Sequence, residues 1–220
     1  MKNKANSNPP LKKGLLVNIE GIDGAGKSLL IEKLLEHFAK KRLNVVFCKD
    51  PDNQKIGPKI LSILGQFKDE ITEEAKFLLL AAGRMQTCQK VVIPALNKNS
   101  LVIAHRLTDS ALAYQGYGQK VNKQMIKDVS KWVLEGIVPD ITFYIKIDLK
   151  TARARMSNNT TSLVSFEKKN DLFWINVIKG FDEICKDRKN VICLDGHLKP
   201  QEVFEQAVTI LEKHIIELTK

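Results

Sequence analysis

The sequence predicts an α/β fold, a five-stranded parallel sheet flanked by helices, on three observations. Five short apolar runs are spread along the chain. Amphipathic stretches with helical spacing separate them, which implies a parallel sheet covered on both faces. The first run ends in a glycine-rich loop that opens a helix, the arrangement used to cradle phosphate.

The elements follow in order. Leu15-Leu16-Val17-Asn18-Ile19 is a short buried strand, and Leu30, Leu34, Leu35 and Phe38 then recur at helical spacing. Asn44-Val45-Val46-Phe47-Cys48 is the second strand. A long helix is expected over 71–97, with Phe77, Leu80, Ala81 and Arg84 on one face. Leu101-Val102-Ile103-Ala104 and Ile141-Thr142-Phe143-Tyr144-Ile145 are the third and fourth strands, with helical sequence between them. Val191-Ile192-Cys193-Leu194 is the fifth, and Phe204, Val208, Leu211, Ile215 and Leu218 form a core-facing stripe on the last helix. Residues 1–13 read as a flexible basic tail and 14–220 as one domain, in line with the length of 220 residues. The polar stretch MSNNTTSLVSF at 156–166 interrupts the pattern as a loop or a lid.

Composition narrows the function. Hydrophobic residues at 44% and charged residues at 27% suit a soluble globular chain with a sizeable core. A net charge of +10 favours anionic partners. The lysines are scattered and aromatics are only 6%, so a small anion is expected rather than nucleic acid. Cys48, Cys88, Cys185 and Cys193 form no metal-ligand spacing and read as reduced core thiols. No run reaches the roughly 18 apolar residues of a membrane span, and no signal peptide is expected, so the chain reads as cytoplasmic.

Gly21-Ile22-Asp23-Gly24-Ala25-Gly26-Lys27-Ser28 matches G-x-x-x-x-G-K-[ST] after a strand and before a helix. Backbone N–H groups there converge on phosphate oxygens, Lys27 adds a point charge, and Ser28 offers a hydroxyl to Mg²⁺. Past the third strand come His105-Arg106 and the run Asp109-Ser110-Ala111-Leu112-Ala113-Tyr114-Gln115-Gly116. Residues just beyond strand C-termini line the ligand crevice of an open parallel sheet, so Arg106 is placed to reach phosphates, with Arg84 a second candidate cation.

Five pieces in this order, NIEGIDGAGKS, LLLAAGRMQ, DSALAYQG, VPDITFYIKIDLKTARARM and VICLDG, closely resemble the thymidylate kinase family. The resemblance implies a P-loop nucleoside monophosphate kinase core with a lid at about 156–168, and usually a homodimer. It also implies transfer of the γ-phosphate of ATP to dTMP with Mg²⁺, giving dTDP and ADP for dTTP synthesis. By resemblance, Gly21, Asp23, Gly24, Ala25, Gly26, Lys27, Ser28 and Arg155 bind ATP, Ser28 serving the metal. Asp23, Lys49, Phe77, Leu80, Arg84, Arg106, Ser110, Ala111, Tyr114 and Gln115 bind dTMP. Lys27, Arg106 and Arg155 are the implied catalytic residues.

The match is imperfect at the site. The family's Arg-Glu-Pro reads Lys49-Asp50-Pro51, and an arginine expected soon after is Leu61. The aromatic expected to stack on the base is Leu80, with Phe77 one turn back as the substitute. Gly83, His105 and Ala111 replace an Asp or Asn, an Asp and a polar residue respectively. Ala25 leaves the catalytic arginine to a lid that has none, though Lys168 and Lys169 follow it. Leu80 and Ala111 leave another monophosphate acceptor open. His105 and the arginine-free lid leave open a nucleotide-binding protein with little catalysis.

Overall fold

The computed structural model describes residues 11–51, 55–67, 69–157 and 170–219. The first apolar run forms β1 (Leu15–Glu20), whose six residues are all buried. It is joined by β2 (Val45–Lys49), β3 (Leu101–His105), β4 (Ile141–Lys146) and β5 (Val191–Asp195) in one parallel sheet of order β2-β3-β1-β4-β5. Burial on both faces explains why the inner strands read as continuous apolar runs. The edge strands β2 and β5 are only partly covered, and Cys193 on β5 is exposed, which corrects its reading as a core thiol.

Alternation along β1 divides the core. Leu15, Val17 and Ile19 pack with Leu30, Leu34 and Phe38 of α1 (Lys27–Lys40), whereas Phe181 of α8 (Asp171–Cys185) stacks on Tyr144, which is level with Glu20 and so belongs to the opposite face. Leu16 goes to the other side with Cys48, Val92, Val102 and Ala104. Each fully buried Leu or Phe contributes about 1.5–3 kcal/mol, so α1 is held mainly by this stripe. The last helix, α9 (Pro200–Thr219), buries Val203, Ala207, Leu211 and Ile215, with Phe204, Val208 and Leu218 on the flank of the expected stripe.

The helix expected over 71–97 is interrupted. Thr72 caps α3 (Glu73–Thr87) by accepting from the Ala75 N–H at 3.3 Å. A π-helical turn, Cys88–Val92, then leads into α4 (Ile93–Asn97). Pro94 has no N–H to give to the turn before it, and a widened turn there accommodates that loss. The other described helical elements are α2 (Ile56–Gln66), α5 (Thr108–Ala111), a second π-helical segment (Leu112–Gly118), α6 (Lys123–Val133) and α7 (Leu149–Met156).

The expected tail does not extend to residue 13. Leu11 is 2% exposed in the main core, and the Lys12 N–H donates to the Leu218 carbonyl at 3.1 Å. Residues 1–10 and most of the expected lid, 158–169 with Lys168 and Lys169, lie outside the described residues.

Candidate active site

In this strand order the loops leaving β1 and β3 depart from neighbouring strands toward opposite sides, and the crevice between them is where such sheets bind ligands. Ile19 of β1 is level with His105 of β3, so Gly21–Ser28 and Arg106–Tyr114 emerge side by side.

Gly26 takes φ 96° as the residue before α1, a left-handed conformation that costs glycine nothing. The helix therefore begins at Lys27 with its free N–H groups and positive dipole end at the loop. Lys27 is 5% exposed, and its Nζ donates to the Ile22 carbonyl at 2.7 Å. Burial, reinforced by Arg106, pushes this ammonium down to about 7, against the pull of Asp23 and Glu20. A cavity of about 630 Å³ opens over the loop, walled by Gly24, Lys27, Ser28, Lys49, His105 and Arg155 among others. Arg155 is aimed by two carbonyls, donating to Gly196 at 2.7 Å and Gly24 at 3.4 Å.

Arg106 is the hub of the adjoining cluster. One guanidinium nitrogen donates to the Gly21 carbonyl and the Ser110 hydroxyl, each at 2.9 Å. The other donates to Asp23 Oδ1 at 2.5 Å and to the Tyr114 hydroxyl at 3.1 Å. Burial opposes the charge on Asp23, but Arg106 and Lys27 outweigh it and hold the carboxyl below its ordinary range. The Tyr114 ring is fixed edge-on by Trp174 at 5.9 Å and Phe181 at 6.2 Å.

A second cavity of about 200 Å³ shares Asp23 with the first and is walled by Pro51, Leu80, Arg84, Arg106, Ala111 and Gln115, with Ser110 and Tyr114. Its polar end is the Arg84–Asp50 ion pair, 2.6 Å long between side chains 4% and 5% exposed. Burial pushes the Asp50 carboxyl up and Arg84 draws it back down. Gly83 has a local reason to be glycine, since a Cβ there would stand 2.7 Å from the Pro51 Cβ.

His105 faces the larger cavity as a neutral ring. Burial, then Lys27, Arg106 and Lys49, push it down to about 3. Unfolding returns it to about 6.5, so between these values the unfolded chain holds a proton that the folded chain does not. Stability should therefore fall as pH falls through that window. Denaturant unfolding at about pH 7 and about pH 4.5 should show a smaller acid loss for His105→Asn, and equal losses would clear His105 of the effect.

The structure gathers most of the expected residues around these two cavities, with two corrections. Phe77 is fully buried beside Ala81, Ala111, Val121 and Ile126, beneath the smaller cavity rather than on its wall, so it cannot stand in for a stacking aromatic. Lys49 lines the phosphate-loop cavity and not the smaller one. The Ala25 side chain is buried, leaving only its backbone for a phosphate. Two residues escaped sequence reasoning. Asp50 was visible only as a shortened acid, and Glu20 is a buried carboxylate that accepts from Leu107 and Ser110, far along the chain, as well as from nearby Asn18.

Comparison with known proteins agrees with this geometry. The thymidylate kinase family model matches residues 19–207. The thymidylate kinase of Kosmotoga olearia is 32% identical over 199 residues, covering 88% of this chain and 93% of its own. That of Halothermothrix orenii is 32% identical over 196 residues, with 88% and 94% covered. The crystal structure of thymidylate kinase from Ehrlichia chaffeensis superposes with a TM-score of 0.72 at 25% identity, covering 91% of this chain and 99% of that one. A match across most of the chain, and nearly the whole of each relative, leaves one conclusion: the chain belongs to the thymidylate kinase family, a family of nucleoside monophosphate kinases.

Proposed function

We propose that this protein transfers the γ-phosphate of ATP to dTMP, giving ADP and dTDP. The observation that carries the reading is the junction of the two cavities, where Asp23 belongs to both walls and Arg106 is bonded to it. The larger cavity takes the triphosphate, with the N–H groups of Gly21–Ser28 and the Lys27 and Arg155 charges on its phosphates. The smaller takes the monophosphate, its base between Pro51, Leu80 and Arg84 and its sugar near Asp23 and Tyr114. Gln115, Ser110 and Ala111 complete that wall.

An acceptor phosphate oxygen attacks the γ-phosphorus in line, forming one O–P bond as the bridging O–P bond to ADP breaks. A phosphate monoester with a second pKa near about 6 is already ionised at neutral pH, so no base is required. Lys27 turns from the Ile22 carbonyl to the phosphates, and Arg106 spreads the negative charge of the transferring group. Mg²⁺ neutralises donor phosphate charge when bound. The exposed Ser28 hydroxyl is the protein atom that would hold it. Among the described residues no group of three acidic, His or Cys side chains could cage a metal, which suits an ion that arrives with the nucleotide and keeps its waters.

The family resemblance also motivates a homodimer, and the surface supports it. Leu61 on α2, Phe67 at its C-cap, Leu78 on α3 and Trp132 on α6 are exposed, on helices that pack in sequence α2 to α3 to α6. Nucleotide substrates of this kind place the work in the cytoplasm, and no helix among the described residues is long and apolar enough to cross a membrane.

Leu80 and Ala111 favour a second reading, the same transfer to a different monophosphate. ADP release measured across dTMP, dUMP, dCMP and purine monophosphates decides between them, with Lys27→Ala as the control. The dTMP rate should exceed the rates for cytidine and purine acceptors, and Lys27→Ala should abolish it. No preference for dTMP or dUMP would sink the leading reading.

A further inference from the structure

Arg106 does its work from a backbone conformation that a residue with a Cβ does not adopt freely, φ 69°. The turn stands because its neighbours are tied to β1. The Arg106 N–H donates to the Ile19 carbonyl at 3.2 Å, and the Leu107 N–H donates to Glu20 Oε1 at 3.0 Å. The Ser110 N–H points at the same oxygen at 3.4 Å, and the Asn18 amide donates to it at 3.2 Å. Helix α5 has no capping side chain of its own, so this carboxylate from the neighbouring strand serves in its place. Glu20 is fully buried and lines neither cavity.

The second carboxylate oxygen acts on the guanidinium. Glu20 Oε2 accepts the Ser110 hydroxyl proton at 2.5 Å. A serine hydroxyl has a single proton, so once it is given to Glu20 the oxygen can only accept. What it accepts is the Arg106 guanidinium, at 2.9 Å. One carboxylate thus fixes the backbone on which Arg106 stands and the direction in which its head group is held.

We propose that Glu20 is a positioning residue for phosphoryl transfer, acting on the Arg106 guanidinium through the Ser110 hydroxyl and the start of α5. The inference rests on the reading that Arg106 meets the transferring phosphate. Glutamine at this position keeps the shape and one acceptor oxygen but meets Ser110 with an N–H. The hydroxyl must then turn, and its bond from Arg106 is weakened. Alanine at 110 removes the relay and leaves the capping bonds to Leu107 in place.

The test is a double-mutant cycle on kcat, with KM for each nucleotide and the melting temperature measured alongside. Glu20→Gln and Ser110→Ala should each lower kcat about tenfold or more, and Glu20→Gln, at a residue that lines neither cavity, should leave both KM values within about threefold. In an Arg106→Ala background the same substitutions should change kcat by less than about twofold, because the group they position is gone. A Glu20 variant that merely loosened the fold would lose the same factor in both backgrounds, and that result overturns the inference. If Glu20→Gln does not fold, Ser110→Ala carries the same comparison. Full kcat in Arg106→Ala alone would overturn the reading of the site together with this inference. A large Arg106 effect with losses that multiply overturns only the role of Glu20.

Discussion

Arg106→Ala should lower kcat roughly a thousandfold or more while leaving the protein folded, the scale seen when a phosphoryl-transfer enzyme loses a well-placed arginine. The guanidinium is bonded to Gly21, Asp23, Ser110 and Tyr114, so it is held in place before any nucleotide arrives. Charge placed in advance stabilises the transition state without a reorganisation cost at the moment of transfer. The loss should therefore fall on kcat more than on ATP affinity, which the backbone of the loop and Lys27 supply. Alanine at φ 69° bears the same Cβ strain that arginine already bears, so the backbone contributes nothing to the difference. Arg106→Lys keeps the charge but not the fork, and should fall between the two enzymes. Steady-state kinetics with calorimetric ATP binding check this, and an unchanged kcat would remove Arg106 from the reacting centre.

Arg84→Met is expected to be the most destabilising substitution at the site, by about 3–5 kcal/mol, because it strands a buried carboxylate. Asp50 is 5% exposed and already pushed up by burial, and Arg84 is the charge that draws it back. Without that partner it must take up a proton or stay charged in an apolar wall. The double variant Asp50→Leu/Arg84→Met removes the stranded charge and should recover much of the loss. It should not recover dTMP binding, since the polar end of the smaller cavity is gone. Urea unfolding of the wild type, the single and the double variant tests the order. A double variant less stable than the single one would contradict it.

The strands and the phosphate loop were legible because each is local. A buried parallel strand is written in consecutive apolar residues, and the loop in eight consecutive positions. What escaped depends on contacts remote in sequence. Glu20 caps a helix that begins at Thr108, and nothing near Glu20 announces it. Helical periodicity put Phe77 on the same face as Leu80 and Arg84, correctly, but periodicity gives direction and not depth. The residue one turn back lies under the cavity floor, packed against Val121 and Ile126. Cys193 misled for a related reason, because an apolar run does not reveal that its strand lies at the sheet edge. The basic tail looked uniform, yet Leu11 is long and apolar enough to reach the core.

The strand order also bears on how the chain comes to be folded during synthesis. The strand that carries the phosphate loop lies in the middle of the sheet, between β3 and β4. Its partners are Leu101–His105 and Ile141–Phe143 with Tyr144, so it leaves the ribosome long before either side of it can be paired. A nascent chain that ends before Ile141 holds the whole loop motif and its β3 partner but lacks the strand that pairs on the other side. Nucleotide can help this chain fold only late, after more than half of it has been made, and until then a run of buried apolar residues depends on collapse or on a chaperone for cover.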